Sequence, residues 1–432
     1  MAMRRSLVSI VAMVVYAGLV FGTGSQEPAA GKEKAEEPVS LSLWRAGSDE
    51  LETQYWEGAI KAYEAKHPNV KVKLTSIPWG NDMETKLNTA FVGGTFPDAV
   101  SYSIASIAGH AQTGQYTPLD TYVANWSGKA DVIDRILKLG EYKGSIYGIG
   151  FIPDPRVFVW RKDYFAEAGL DPEKPPKTWE ELRDYAVKLT KIQSGITTRG
   201  GFSIRKEVNN GDAAQDWQTF ALQNGSPIID VPGNKALFNN PKGVEAAEFL
   251  ADLYRKGVSP QVGMGEDAFA LSRVATAFAN PSSVKSLINN NPDLKGKVGF
   301  AGPMQREKKA TFAGLRLMFM GSTSKHKSQA WSFIDFVVSK DESWRRYEVL
   351  KAPVVLKSLK EDFIKNDPVV NSAVFEGIEY GQGYPIVIYS FSFMELISRA
   401  LQSAYFGQSS AKDAFSEAEK EFNKQLPAWL NK

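Results

Sequence analysis

The stretch KGSIYGIGFIPDPRVFVWRKDYFAEAGLDPEKPPKTWEELRDYAVKLT, residues 143–190, decides the fold. Gly144 makes a tight turn. Ile146, Tyr147 and Ile149 predict a strand, broken by Gly148, Gly150 and Pro153. A second β-rich run, 157–160, follows Pro155. Each proline biases the residue before it away from helix, so the chain stays extended here. A short helix is expected over 162–168, closed by Gly169. Thr178 and Glu181 have capping-box spacing at the start of the next helix. The extended run is long enough to pass from one compact unit to another, and it carries Asp154 and Arg156 at the crossing.

The bulk numbers bound the rest. A chain of 432 residues has room for two or three domains. Its 43% hydrophobic and 23% charged content is that of an ordinary globular protein. With no cysteine, disulfides, thiolate chemistry and an N-terminal lipidated cysteine are excluded. Residues 1–24 read as a signal peptide, with Arg4 and Arg5 before an apolar run over 7–21. Removing them lowers Lys+Arg from 51 to 49, equal to the 49 Asp+Glu. That zero balance is a poor footprint for nucleic acid or an anionic membrane surface. Residues 25–38 are polar without periodicity and read as a disordered spacer.

Order is expected from Val39. Strand 40–44, helix 51–66, strand 70–74, helix 81–92 and a buried strand after GTFPDAV (94–100) give β-α-β-α-β, an α/β class with a mostly parallel sheet. Beyond the crossing, helices are expected over 178–191, 213–224, 241–257, 327–338, 393–406 and 411–426. Strands are expected over 228–231, 274–278, 298–300 and 311–319.

The segment G-S-I-Y-G-I-G, then K-D-Y-F-A-E-A-G-L and P-P-K-T-W-E-E-L, resembles the extracellular solute-binding proteins of bacterial ABC-type sugar importers. The resemblance also takes in GTFPDAV (94–100), DAFALSRVATAFANP (267–281), AGLR (313–316) and SQAWSFIDFVVS (328–339). It spans about residues 40–426. It implies a two-lobed periplasmic-binding-protein fold with a hinge, one lobe from 40–152 plus 305–350 and the other from 156–302 plus 355–432. It implies a sugar ligand, hinge closure, delivery to an ABC permease, a monomer, and a place in the periplasm or outside the cell. Two departures stand out: Trp160-Arg161 replaces a common Tyr-Asn, and Leu315-Arg316 replaces small residues.

The chemistry points to binding. The three histidines, His67, His110 and His326, are far apart, so no catalytic triad or zinc site can be assembled from them. GMGEDA (263–268) fits the loose dinucleotide pattern but lacks a preceding strand. No cofactor or metal is expected. Paired carboxylates for glycoside hydrolysis stay open as an alternative, as does a ligand-sensing receptor subunit.

Open α/β sheets bind ligands beyond the carboxyl ends of their strands, which nominates Trp44, Arg45, Trp79 and Tyr102. Trp217, and Tyr384 in GQGYPIVIYSF (381–391), are the second-lobe aromatics. Core packing remains as open as ligand contact at each. The resemblance adds Asp49, Asp154, and Asn280 with Pro281 and Ser282, and places Tyr102 as a stacking ring. Arg45, Arg156 and Arg316 lie near expected cleft loops, which raises an anionic ligand unless local acids pair them.

Overall fold

The computed structural model describes residues 38–260 and 267–431. The expected signal peptide, nearly all of the spacer and most of the glycine pattern at 263–268 lie outside the described residues.

Two mixed sheets carry the fold. β1 (Val39–Ala46) alternates buried and exposed positions, with Leu41 and Leu43 inward. It pairs in parallel with β2 (Val70–Ile77) and β3 (Ala99–Ser103). Helix Glu50–Lys66 joins the first two, and helix Asn81–Val92 joins the second to the third. Asp98, the acid of GTFPDAV, accepts from the Ser42 amide and hydroxyl, both at 2.8 Å, and from the Ser324 hydroxyl at 2.6 Å. It ties the first strand to a loop more than two hundred residues away.

β4 (Gly148–Pro155) is one continuous strand, not an interrupted one. The reason is its partner across the ladder. In β10 (Thr311–Met320), Leu317 faces Gly150 and Phe319 faces Gly148. A Cβ on Gly148 would lie 2.6 Å from the Phe319 ring, and one on Gly150 3.0 Å from Leu315. These glycines make room for large neighbours, so they support the pairing that propensity alone argues against. β10 runs antiparallel to both β3 and β4, and β11 (Gly381–Gln382) adds at its end.

After Pro155 the chain changes sheet within one residue. β5 (Val157–Arg161) belongs to a second sheet with β6 (Lys191–Gln193), β7 (Ile196–Phe202), β8 (Val274–Ala279) and β9 (Val298–Ala301), in the order β9-β5-β8-β7-β6. The crossing is therefore at Pro155–Arg156. Helix Trp179–Leu189 covers the second sheet. Thr178 caps it, its hydroxyl accepting from the Glu181 amide at 3.2 Å, while Glu181 accepts from the Lys177 amide at 2.7 Å. The departure at Trp160-Arg161 is absorbed by packing: the Trp160 indole donates to the Pro172 carbonyl, and Arg161 holds Asp163 with two bonds of 2.9 and 2.7 Å.

Each sheet has its own aromatic core. Trp56 meets Phe151 edge-on at 5.7 Å beside the first, and Trp217, Phe220 and Phe415 pack beside the second. The long C-terminal helices, Ser390–Tyr405 and Ala411–Leu430, bury Phe393 and Phe422 in the second core. Helix Pro368–Tyr380 lies across both sheets, touching β4 and β10 on one side and β5 and β9 on the other. Among the described residues no helix is long and apolar enough to cross a membrane.

Candidate functional site

Two cavities open where the chain crosses between sheets. The first, of about 370 Å³, is lined by Trp79, Ser103, Asp154, Arg156, Asp212, Gln215, Phe312, Arg316, Tyr384 and Phe391.

 The 370 Å³ cavity holds these side chains, and the 420 Å³ space behind β10 shares Ile104, Gly314, Leu315 and Tyr384 with it. The second site cavity, of about 680 Å³, is lined by residues 203–209, Asp267, the end of β8, Asn280 and Ser283. Arg156 and Asp212 line both the 370 and the 680 Å³ cavities.

The crossing residues build the junction. The Arg156 guanidinium donates to Asp154 at 2.5 Å and to the Gln215 amide oxygen at 3.0 Å, and lies 5.5 Å over the Phe312 ring. Asn280, at the end of β8, donates to the same Asp154 oxygen. The Gln215 amide donates to Asp212 at 2.9 Å. Gly211, at φ +72°, turns the chain so that Asp212 begins helix Asp212–Gln223 at this junction. Burial pushes the Asp212 carboxyl above its usual range, against the opposing pull of Arg205 and Arg156.

A second group forms the aromatic wall. Trp79 is 38% exposed, enough for one face to meet a ligand. Behind it, Tyr102 lies 5.7 Å away, and Phe391 lies 6.3 Å beyond Tyr102. The Arg316 guanidinium sits 4.9 Å from the Trp79 ring and pairs with Glu52. Glu52 also faces Arg45 at 3.5 Å. Both exposed ring surface and fixed N–H groups are thus present, as sugar recognition requires.

Of the residues read from the sequence, Trp79, Asp154, Arg156, Arg316 and Tyr384 share the smaller cavity, and Asn280 lines the larger one. The others lie elsewhere. Trp217 is a core residue, fully buried, with its indole donating to the Gly243 carbonyl at 2.9 Å. Arg45 is fully buried and held by Ser76, Thr53 and the Asp49 carbonyl. Asp49 caps helix Glu50–Lys66 through the Glu52 amide at 2.9 Å. Trp44 lies under Lys86, 5.0 Å from its ring. Tyr102 is buried behind Trp79 and donates to the Gly80 carbonyl, so it backs the wall rather than forming its face. Each of the three arginines has an acidic partner, Asp154 for Arg156 and a shared Glu52 for Arg45 and Arg316. Asp212, Gln215, Phe312 and Phe391 were missed. Phe391 closes the aromatic segment already singled out, whereas nothing local distinguishes Asp212.

A cleft between two sheet-based lobes, walled by aromatics and fixed polar groups, defines a protein that grips a small polar molecule. The model of the bacterial extracellular solute-binding protein family matches residues 47–343, and the chain belongs to that family. A Brucella abortus (strain 2308) protein named as a binding protein is 25% identical over 420 residues, covering 93% of this chain and 97% of its own. The arabinooligosaccharide-binding protein of Bacillus subtilis (strain 168) is 24% identical, over 79% of this chain and 78% of its own. The crystal structure of an ABC transporter solute-binding protein from Thermotoga lettingae, bound with α-D-tagatose, superposes with a TM-score of 0.80 at 26% identity, over 90% of this chain and 99% of that one.

Proposed function

We propose that the protein binds a neutral sugar or oligosaccharide in the cleft at the Pro155–Arg156 crossing and passes it, unchanged, to an ABC permease. The carrying observation is Trp79, an exposed ring, beside arginines that already have acidic partners: Arg156 with Asp154, and Arg316 with Glu52, which Arg45 shares. A guanidinium so held still has N–H groups for hydroxyls, while its charge toward an anion is partly offset. Sugar-binding relatives support the same reading.

Several finer points belong to this proposal. The lobes comprise 40–152 plus 305–350 and 156–302 plus 355–432, with helix Pro368–Tyr380 lying against both. The chain acts as a monomer outside the cytoplasmic membrane, exported by residues 1–24. Ligand favours a closed arrangement of the lobes, and that form docks on the permease.

A thermal-shift and calorimetric panel of neutral and acidic saccharides tests the reading. Neutral members should raise the melting temperature, and Trp79→Ala should weaken their binding about tenfold. Stabilisation by uronates or sugar phosphates alone would sink the neutral version. Turnover of any saccharide would sink the binding-only reading.

A further inference from the structure

The recess of about 420 Å³ behind β10 differs in chemistry from the cleft. Helix Asp134–Lys138 brings Ile136 to it, helix Asp212–Gln223 brings Leu222, and helix Pro368–Tyr380 brings Ile378. Leu139, Ile229 and Ile386 complete an aliphatic wall. Its volume falls in the range of roughly 300–1,000 Å³ that encloses a small ligand. Where the cleft is lined by aromatic rings and two aspartates, this recess has no carboxylate among its described lining residues.

Arg135 is the one charged side chain among the described residues that line it. Its guanidinium donates to two main-chain carbonyls, that of Glu379 at 2.8 Å and that of Gly381. These bonds hold it at the C-terminal end of helix Pro368–Tyr380 and use two of its five N–H groups. Among the described residues no carboxylate pairs with it, unlike Arg156, which has Asp154, and Arg316, which has Glu52. The helix end offsets part of its charge with the partial dipole of a few carbonyls, not with a full anion. Three N–H groups remain for an acceptor, and a carboxylate is an acceptor that a guanidinium can hold with two parallel bonds.

Aliphatic walls with a single cation among them select a narrow class of guest. The hydroxyls of a sugar would go unpaired against isoleucine and leucine. A neutral hydrocarbon would leave the guanidinium unused, and a small inorganic anion would leave the walls uncovered. A chain that is apolar along its length and negative at one end satisfies both. We propose that this recess binds an unbranched medium-chain carboxylate, its hydrocarbon against Ile136, Leu139, Leu222 and Ile229 and its carboxylate on Arg135. The proposal does not rest on the saccharide reading, and either can fail without the other.

The test is calorimetric titration of the full chain with hexanoate, heptanoate and octanoate, each below its micelle-forming concentration, and with 1-octanol as the uncharged probe. Each added methylene should tighten binding about fourfold. Octanoate should bind at least about tenfold tighter than 1-octanol, and Arg135→Gln should bring the two together. Ile229→Trp, which fills the recess from one wall, should abolish octanoate binding. Leu139→Trp, from another wall, gives the same test should the first variant melt early. Octanoate bound no tighter than 1-octanol overturns the role of Arg135 and with it the proposal. So does octanoate binding untouched by both tryptophans, which would place the guest elsewhere. Failure of octanoate to bind at millimolar concentration overturns the proposal and leaves the saccharide reading standing.

Discussion

Asp212 shows how one side chain can cost stability where it lines the cleft. Its carboxyl is pushed up first by burial, while Arg205 and Arg156 pull it down and Glu207 and Asp216 push it further up. Between its unfolded value near 4 and the raised one, the folded chain holds a proton that the unfolded chain has released. Stability from this group is therefore lost as pH rises through that window. Asp212→Asn removes the ionisation. In ligand-free protein, the melting temperature of the variant relative to the wild type should climb as pH rises above about 4. A difference that shrinks over that range would contradict the sign. The same residue scale separates two tryptophans nominated alike from the sequence. Trp79 stays 38% exposed, with Tyr102 tilted beside it and the Arg316 guanidinium over its ring. Trp217 has no free face because Phe238 and Phe415 close on it.

At the level of elements, close approach is enforced by glycine in the second sheet. A Cβ on Gly201, in β7, would lie 1.9 Å from the Ala186 carbonyl oxygen of the covering helix. Neither side can move: one is sheet backbone and the other helix backbone. Gly201→Ala should cost about 3 kcal/mol in denaturant unfolding. Gly195, in the exposed turn before β7, has φ +78° and open space around its would-be Cβ. Gly195→Ala should cost only about 1 kcal/mol, from the backbone conformation alone. Equal losses at the two sites would mean that helix and sheet are less tightly seated than the geometry implies. The capping of helix Trp179–Leu189 was legible in advance, since Thr178 and Glu181 act through local backbone amides. The continuity of β4 was not: Gly148 and Gly150 look like strand breakers until Phe319, Leu317 and Leu315 are placed beside them.

For the whole molecule, the two sheets meet at the Pro155–Arg156 passage and through helices Asp212–Gln223 and Pro368–Tyr380. A ligand held by both lobes should draw them together. Small-angle scattering should show the radius of gyration falling on addition of a binding saccharide, toward the roughly 22 Å of a compact chain of this length. No change at saturating ligand would argue against closure as the transport signal.

The sequence by itself determined the succession of strands and helices and the crossing at 154–156, because periodicity, caps and proline effects act over a few residues, and its motifs carried the family resemblance. Only the tertiary structure decided which candidate side chains face the cleft. Arg45 and Arg316 look alike along the chain, yet both converge on Glu52, one buried and one beside Trp79. Asp212 has no local mark, and gains its place from Arg156, Gln215 and the two cavities it lines. Exposure and pairing are properties of partners that lie tens or hundreds of residues apart, and folding alone brings them together.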